Sequence, residues 1–225
     1  VVIVSPQGSN PAWLVQLLEL LEGKAAATFV ILAGIGISLL SKRAKEDNNL
    51  DQIIQHRYML LKRALFLFIV GLFYTPLWPA DILHFYGIYI AVCAFFLKSS
   101  GKKIWTYIVF FTFGFLLMMI LLDYEQGWNW ETLDYHGLWT LSGMFRHLFF
   151  NGFHPVFPWV VFMLFGMWLG RLNMQDSKFR NKLLIINIFL VIVAESVSFL
   201  LIDYFGNDSH TAHEIALFLF STGPM

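Results

Sequence analysis

Two short stretches of this chain set histidines beside groups able to tune them. In DILH, Asp81 and His84 stand three residues apart, a spacing that brings both side chains to one face of a helix. A carboxylate against one imidazole nitrogen orients the ring and leaves the other nitrogen to take a proton or bind a polar substrate. The plainer alternative is a helix cap from Asp81, which follows Pro79, with an interfacial histidine beside it. In RHLFFNGFHP, His147 and Asn151 are four apart, His154 lies beyond them and Arg146 precedes them. An arginine in so apolar a run needs an anion, whether a protein carboxylate, a substrate group or a lipid phosphate.

Glu195 stands within the apolar run IVAESVSF. A charge in the middle of a membrane helix costs at least about 2.5 kcal/mol on insertion scales. Glu195 must therefore face protein, a cavity or water, or hold a proton. Ser196 and Ser198 can supply hydrogen bonds, and both helix packing and substrate or proton handling remain open. HTAHE brings together His210, His213 and Glu214, but it is not HExxH, and a helix start with an acid in its first turn accounts for it. The interval between His147 and His154 is no zinc spacing. The single cysteine, Cys93, lies in an apolar run and reads as an inert thiol. No metal is expected.

The elements that carry these residues follow from composition. Only 13% of residues are charged and mean hydropathy is +0.65, against about 25% charged in soluble domains. Such a chain needs a solvent other than water. Net charge is zero with no basic tail or patch, which argues against a nucleic-acid partner. Apolar stretches fall at 25–40, 58–77, 82–97, 104–122, 156–172 and 183–205, and a further one opens near 215. Lengths near 20 without strict alternation select helices over barrel strands. The expected fold is all-α: a polytopic transmembrane bundle of six complete spans plus the start of a seventh. The reading is one membrane domain over 1–225, an internal piece of a larger bundle with helices expected before and after it. The stretch 123–155 is too polar to span and too apolar to float, and is expected to form an amphipathic or re-entrant connection on the outer face. Gly34, Gly36 and Ser38, and the Gly166/Gly170 pair, are expected at close helix contacts.

Charge placement tests the arrangement. Lys42, Arg43, Lys45, Arg57, Lys62 and Arg63 lie around the first turn, Lys98, Lys102 and Lys103 in another, and Arg171, Lys178, Arg180 and Lys182 in a third. Alternating spans put all three clusters on one side and leave Lys24 and Arg146 on the other. The positive-inside rule makes 42–57, 98–103 and 171–182 cytoplasmic, in a bacterial inner membrane. The opposite side collects Asp81 and His84, the acids and histidines of 123–154 and those of 203–214, and it also holds Trp78, Trp128, Trp130, Trp139 and Trp159, as an interfacial aromatic belt does.

Several motifs in order carry a resemblance. LEGKAAATFVILAGIGISLL, HRYMLLKRALFLFIVGLFY, WPADILHFYGIYI and NGFHPVFPWVVFMLFGMWLGRL resemble the YeiB-type family of bacterial inner-membrane proteins. That family is similar, more distantly, to the catalytic membrane domain of heparan-alpha-glucosaminide N-acetyltransferase and to the acyltransferase-3 superfamily. The resemblance implies a bundle of ten or eleven helices and an acyl group passed from cytoplasmic acyl-CoA to an envelope glycan or lipid on the far side, with membrane lipids around it. The acetyltransferase's histidine precedes the span matching 25–40. Here that region, SPQGSNPAWLVQLLELLEGK, has no histidine, so another outer histidine, such as His84 or His154, is expected in the role. The implied catalytic set is His84, Asp81, His154 and Glu195. Arg146, His147, Asn151 and Lys24 would bind substrate, and Arg57, Lys62, Arg63 and Arg171 would receive the CoA phosphates. Two other readings stay open: a transporter or lipid-handling protein without covalent chemistry, using Glu195 and the outer His/Asp/Arg cluster, and an assembly partner in which Glu195 tolerates leucine.

Overall fold

The computed structural model describes residues 24–173 and 175–206, in two compact units. His210, His213, Glu214 and the stretch opening near 215 lie outside the described residues, as does the segment before Lys24. The larger unit, residues 28–172, holds the Asp81, His84, Arg146, His147, Asn151 and His154 group. The described part of the other unit consists mainly of one long helix, Ser177–Gly206, within which Glu195 falls.

Helix α1 spans Lys24–Glu46 and enters the larger unit at Thr28, which then holds α2 Leu50–Tyr74, α3 Leu83–Phe95 and α4 Gly101–Leu121. The α1 sequence opens on alanines, the best helix formers, and closes with Arg43 and Lys45 in its last turn, where cations meet the negative end of the helix dipole. Asn49 then caps α2 by accepting a hydrogen bond from the Gln52 amide at 3.1 Å. Ser100 does the same for α4 through the Lys103 amide. Next come a small antiparallel hairpin, β1 Trp128–Asn129 with β2 Asp134–Tyr135, then α5 Leu141–Arg146, a π-helical turn His147–Asn151, and α6 Val156–Leu169.

Helix α3 is the centre of this unit. It packs on α2 and on α6, and α6 packs in turn on α4. Phe85, Tyr89, Cys93 and Ala94 of α3 are wholly buried, as are Val160, Met163, Leu164 and Met167 of α6. The outward side of α4 is apolar and open, with Phe110, Phe113, Leu117 and Ile120 exposed, a face suited to hydrocarbon rather than water. Helices α1 and α6 meet at glycine: a Cβ on Gly34 would lie 2.1 Å from the Met163 carbonyl oxygen, and one on Gly166 2.1 Å from that of Ile31. Ser38 and Gly170 continue the contact. Gly36 does not share it, because residues two apart on a helix point to nearly opposite sides, and a Cβ there meets nothing within 4 Å.

The expectation of six complete spans requires correction at the level of single helices. Among the described residues two helices are long and apolar enough to cross a membrane, Ala25–Glu46 and Gly101–Leu121, and a third crossing requires Leu141–Asn151 and Val156–Leu169 together, bent by 50°. The expected span 82–97 is a 13-residue helix, about 20 Å long at 1.5 Å per residue, shorter than a hydrocarbon core of about 30 Å. The expected span 156–172 contracts to the 14 residues of α6. The span 58–77 lies largely in α2, which carries Arg57, Lys62 and Arg63 in its length. The fold is that of an all-α membrane protein, and among the described residues the two-residue strands of the hairpin are the exception.

Candidate functional site

The start of α3 carries the first half of the site. Asp81 follows a tight turn after α2 and is buried, as is His84, which is 1% exposed. The Asp81 carboxylate accepts the Leu83 amide at 3.0 Å and faces Nδ1 of His84 at 3.2 Å. Capping and pairing are thus performed by one oxygen, Oδ2. With Nδ1–H donating to Asp81, His84 presents Nε2 as its basic nitrogen, and that atom has no hydrogen-bond partner. Gly71 of α2 makes the arrangement possible. A Cβ at Gly71 would sit 2.3 Å from the His84 backbone nitrogen and 2.9 Å from Asp81 Oδ2, so only glycine lets α2 approach this closely.

The π-helical turn and the break after it supply the second half. His147, also 1% exposed, stacks on His84 with ring centroids 5.7 Å apart. Phe85 stands against both His147, at 5.2 Å, and His154, at 6.2 Å. Nδ1 of His147 and Nδ1 of His154 are buried and unpartnered, like Nε2 of His84. Buried polar groups normally find partners. Three imidazole nitrogens left open on one cluster mark a place for water or a polar ligand. Among the described residues no group of His, Cys, Asp or Glu has the geometry to hold a metal ion.

A hydrogen-bonded frame backs the histidines. Asn151 is fully buried. Its Nδ2 donates to the carbonyls of Tyr124 at 2.7 Å and Gln126 at 2.9 Å, and its Oδ1 accepts the Tyr135 hydroxyl at 2.8 Å. The Trp128 indole N–H donates to the Asn151 carbonyl. Arg146 donates Nε–H to Tyr135 at 2.7 Å and lies over its ring. Asn151 therefore spends its whole amide tying the hairpin to the π turn, while the terminal guanidinium nitrogens of Arg146 have no acidic partner among the described residues. Tyr89 of α3 donates to the His154 carbonyl and so sets the break that carries His154. Burial pushes the Tyr124 phenol up to about 12, so it brings no charge to this wall.

The structure thus gathers Asp81, His84, His147, Asn151 and His154 and puts Arg146 at their edge. Lys24, at the start of α1, and Glu195 both belong to the other unit. Of the four cations expected to meet CoA phosphates, two are engaged elsewhere. Arg57 donates to the Ala94 carbonyl at 3.2 Å, and Arg171 donates to the carbonyls of Ser99 and Phe96. Lys45 joins them on Ser99 at 3.0 Å. Arg57 thus pairs a carbonyl in the last turn of α3, and Arg171 and Lys45 tie down the turn that follows it. Lys62 and Arg63 line a separate groove. Sequence reasoning missed Tyr135, Trp128, Tyr89 and Gly71 as parts of the site. The signal for Trp128 and Tyr135 was present in GWNWETLDYHG, whose glycines flank a hairpin at positive φ.

Asp81 and His84 thus form a buried carboxylate–imidazole pair among the apolar helices of a membrane protein, with unpartnered ring nitrogens beside it. The family model for the catalytic domain of heparan-alpha-glucosaminide N-acetyltransferase matches residues 5–204, and the chain belongs to that family. It is an acetyltransferase-like membrane protein. Neither a curated protein nor a solved structure matches it.

Proposed function

We propose that this chain is the catalytic part of a multi-pass acyltransferase of a bacterial inner membrane, with 42–57, 98–103 and 171–182 on the cytoplasmic side. It would take the acyl group of an acyl-CoA brought to the basic face and deliver it to a hydroxyl or amine of an envelope glycan or lipid on the other. The single observation that supports this reading most is the Asp81–His84 pair with its open Nε2.

In this mechanism His84 Nε2 accepts the acceptor's O–H or N–H proton as the acceptor's oxygen or nitrogen attacks the thioester carbonyl. Asp81 holds the Nδ1–H tautomer and stabilises the imidazolium. The carbon–sulfur bond breaks, the acyl group stays on the acceptor as an ester or amide, and His84 returns the proton to the CoA thiolate. His147 and His154 offer their open nitrogens to the acceptor or to the tetrahedral oxygen. Arg146 holds an anionic part of the acceptor through the nitrogens that Tyr135 leaves free. Glu195 and Lys24 are kept as proton-handling and substrate-binding positions, each to be tried by substitution.

The test is acyl transfer by the full-length protein in liposomes. Labelled acetyl-CoA would be supplied on one side and glucosamine-terminated saccharide or lipid acceptors on the other. Transfer that drops at least about a hundredfold in His84→Gln, the weight of a general base, is the expected result. Equal transfer by wild type and His84→Gln would remove His84 from the chemistry. Neither transfer nor thioester hydrolysis by wild type would favour transport or lipid handling instead.

A further inference from the structure

A groove of about 690 Å³ opens between α1, α2 and α3, within the range of small-molecule sites. Its walls include Leu40 of α1, Leu60 and Phe66 of α2 and Ile90 of α3, and its polar side chains are Lys62, Arg63 and Tyr86. Neither Lys62 nor Arg63 has an acidic or hydrogen-bonded partner among the described residues. The Lys62 ammonium merely lies 4.4 Å from the centre of the Tyr58 ring.

Two features identify an occupant. The first is charge. Residues 62 and 63 stand about 18 Å along α2 from Leu50 at 1.5 Å per residue, well inside an apolar helix, where unpaired cations are costly. Helical side chains slant toward the N-terminus, so both reach back toward the basic end of α2, the level of a cytoplasmic-leaflet headgroup. The second is the character of the walls. The pantetheine arm of CoA carries two amides that need partners when buried, and apart from the two cations this groove offers a single phenol. An alkyl chain needs none.

We infer that the groove seats one anionic phospholipid, its phosphate against Lys62 and Arg63 and an acyl chain along the walls. This site is separate from the histidine cluster and independent of the transferase reading.

Native mass spectrometry of the full-length protein in detergent would decide it, with dioleoylphosphatidylglycerol, dioleoylphosphatidylcholine and CoA as probes. Retention of the glycerol lipid should exceed that of the choline lipid by roughly thirtyfold, the weight of two basic side chains at an anionic headgroup. Lys62→Gln with Arg63→Gln should erase that preference. Gly36→Phe should abolish retention by filling the groove. An added Cβ at Gly36 meets no neighbour within 4 Å, so this variant should melt within a few degrees of wild type. Equal retention of the two lipids would overturn the inference. So would undiminished retention in Gly36→Phe, since attraction would then lie in surface charge alone. Displacement of the glycerol lipid by equimolar CoA would also overturn it and assign the groove to the donor.

Discussion

Helix α3 has two polar ends, and they are built on opposite plans. At its N-terminal end lie an acid and three histidines, and three ring nitrogens in that cluster are left without partners. At its C-terminal end lie Arg57, Lys45 and Arg171, and each spends a charged donor on a carbonyl of α3 or of the turn that follows it. Both ends are rich in charge on paper. One, the open end, keeps its hydrogen-bonding capacity and the other, the closed end, has spent it, and the proposed chemistry belongs to the first. A charged residue near a membrane is therefore informative about chemistry when its hydrogen-bonding capacity is unspent, and informative about folding when it is spent.

The comparison is broken or sharpened most by activity. His84→Gln is expected to cost at least about two orders of magnitude in acyl transfer, while Lys45→Ala at the closed end leaves the rate within a factor of two. Equal losses from both would erase the distinction.

Stability should show the reverse ranking. Arg171→Ala leaves the Phe96 carbonyl with only the Ser99 amide and the Ser99 carbonyl with only Lys45, and a hydrogen bond to a charged group is worth about 1.5–3 kcal/mol. A lowered unfolding temperature in detergent, with the acyl-acceptor KM unchanged, is the expected outcome. Arg171→Lys should recover part of the loss, because an ammonium reaches fewer carbonyls than the guanidinium fork, which meets those of Ser99, Phe96 and Leu97.

Gly71→Ala tests the open end through its backing. The added Cβ forces α2 from α3 at the Asp81–His84 turn, and overpacking of this kind costs about 1–3 kcal/mol. Activity should fall further than stability explains, since the displaced groups are Asp81 and His84 themselves. A stability loss with full activity in the surviving fold would show that the pair tolerates displacement.

The smallest effect belongs to Tyr135→Phe. It removes one hydroxyl from the Arg146–Tyr135–Asn151 chain, worth about 1 kcal/mol of stability. Freed from its anchor, Arg146 should bind an anionic acceptor less well. A raised acceptor KM with kcat nearly unchanged, read by steady-state kinetics, is expected. An unchanged KM would remove Arg146 from acceptor binding.

Much of this was legible in the residues. DILH announced a carboxylate and an imidazole on one face because helix spacing alone brings i and i+3 together. The apolar stretches announced membrane helices, although α3 and α6 proved shorter than their apolar runs. Turns at Pro79 and Pro155 and tight ends at Phe96 and Gly170 trim the helices without changing the composition. The Gly166/Gly170 pair announced a helix contact, and Gly34 rather than Gly36 answered it, as a 3.6-residue period requires. Arg57 and Arg171 matched the charge pattern of a phosphate site equally well, because nothing in their types distinguishes a free guanidinium from one that caps a helix.

The sequence by itself determined the solvent this protein needs, the helical character of its segments and the local Asp81–His84 pair. All of these depend on composition or on contacts within one turn. The tertiary structure alone decided that His147 and His154, some sixty to seventy residues from His84, join it, that Asn151 is framework, and that Arg171 is a cap. Those outcomes depend on where the π turn bends the chain back over α3 and on which carbonyls after α3 come within reach of Arg171, and neither quantity exists until distant segments meet.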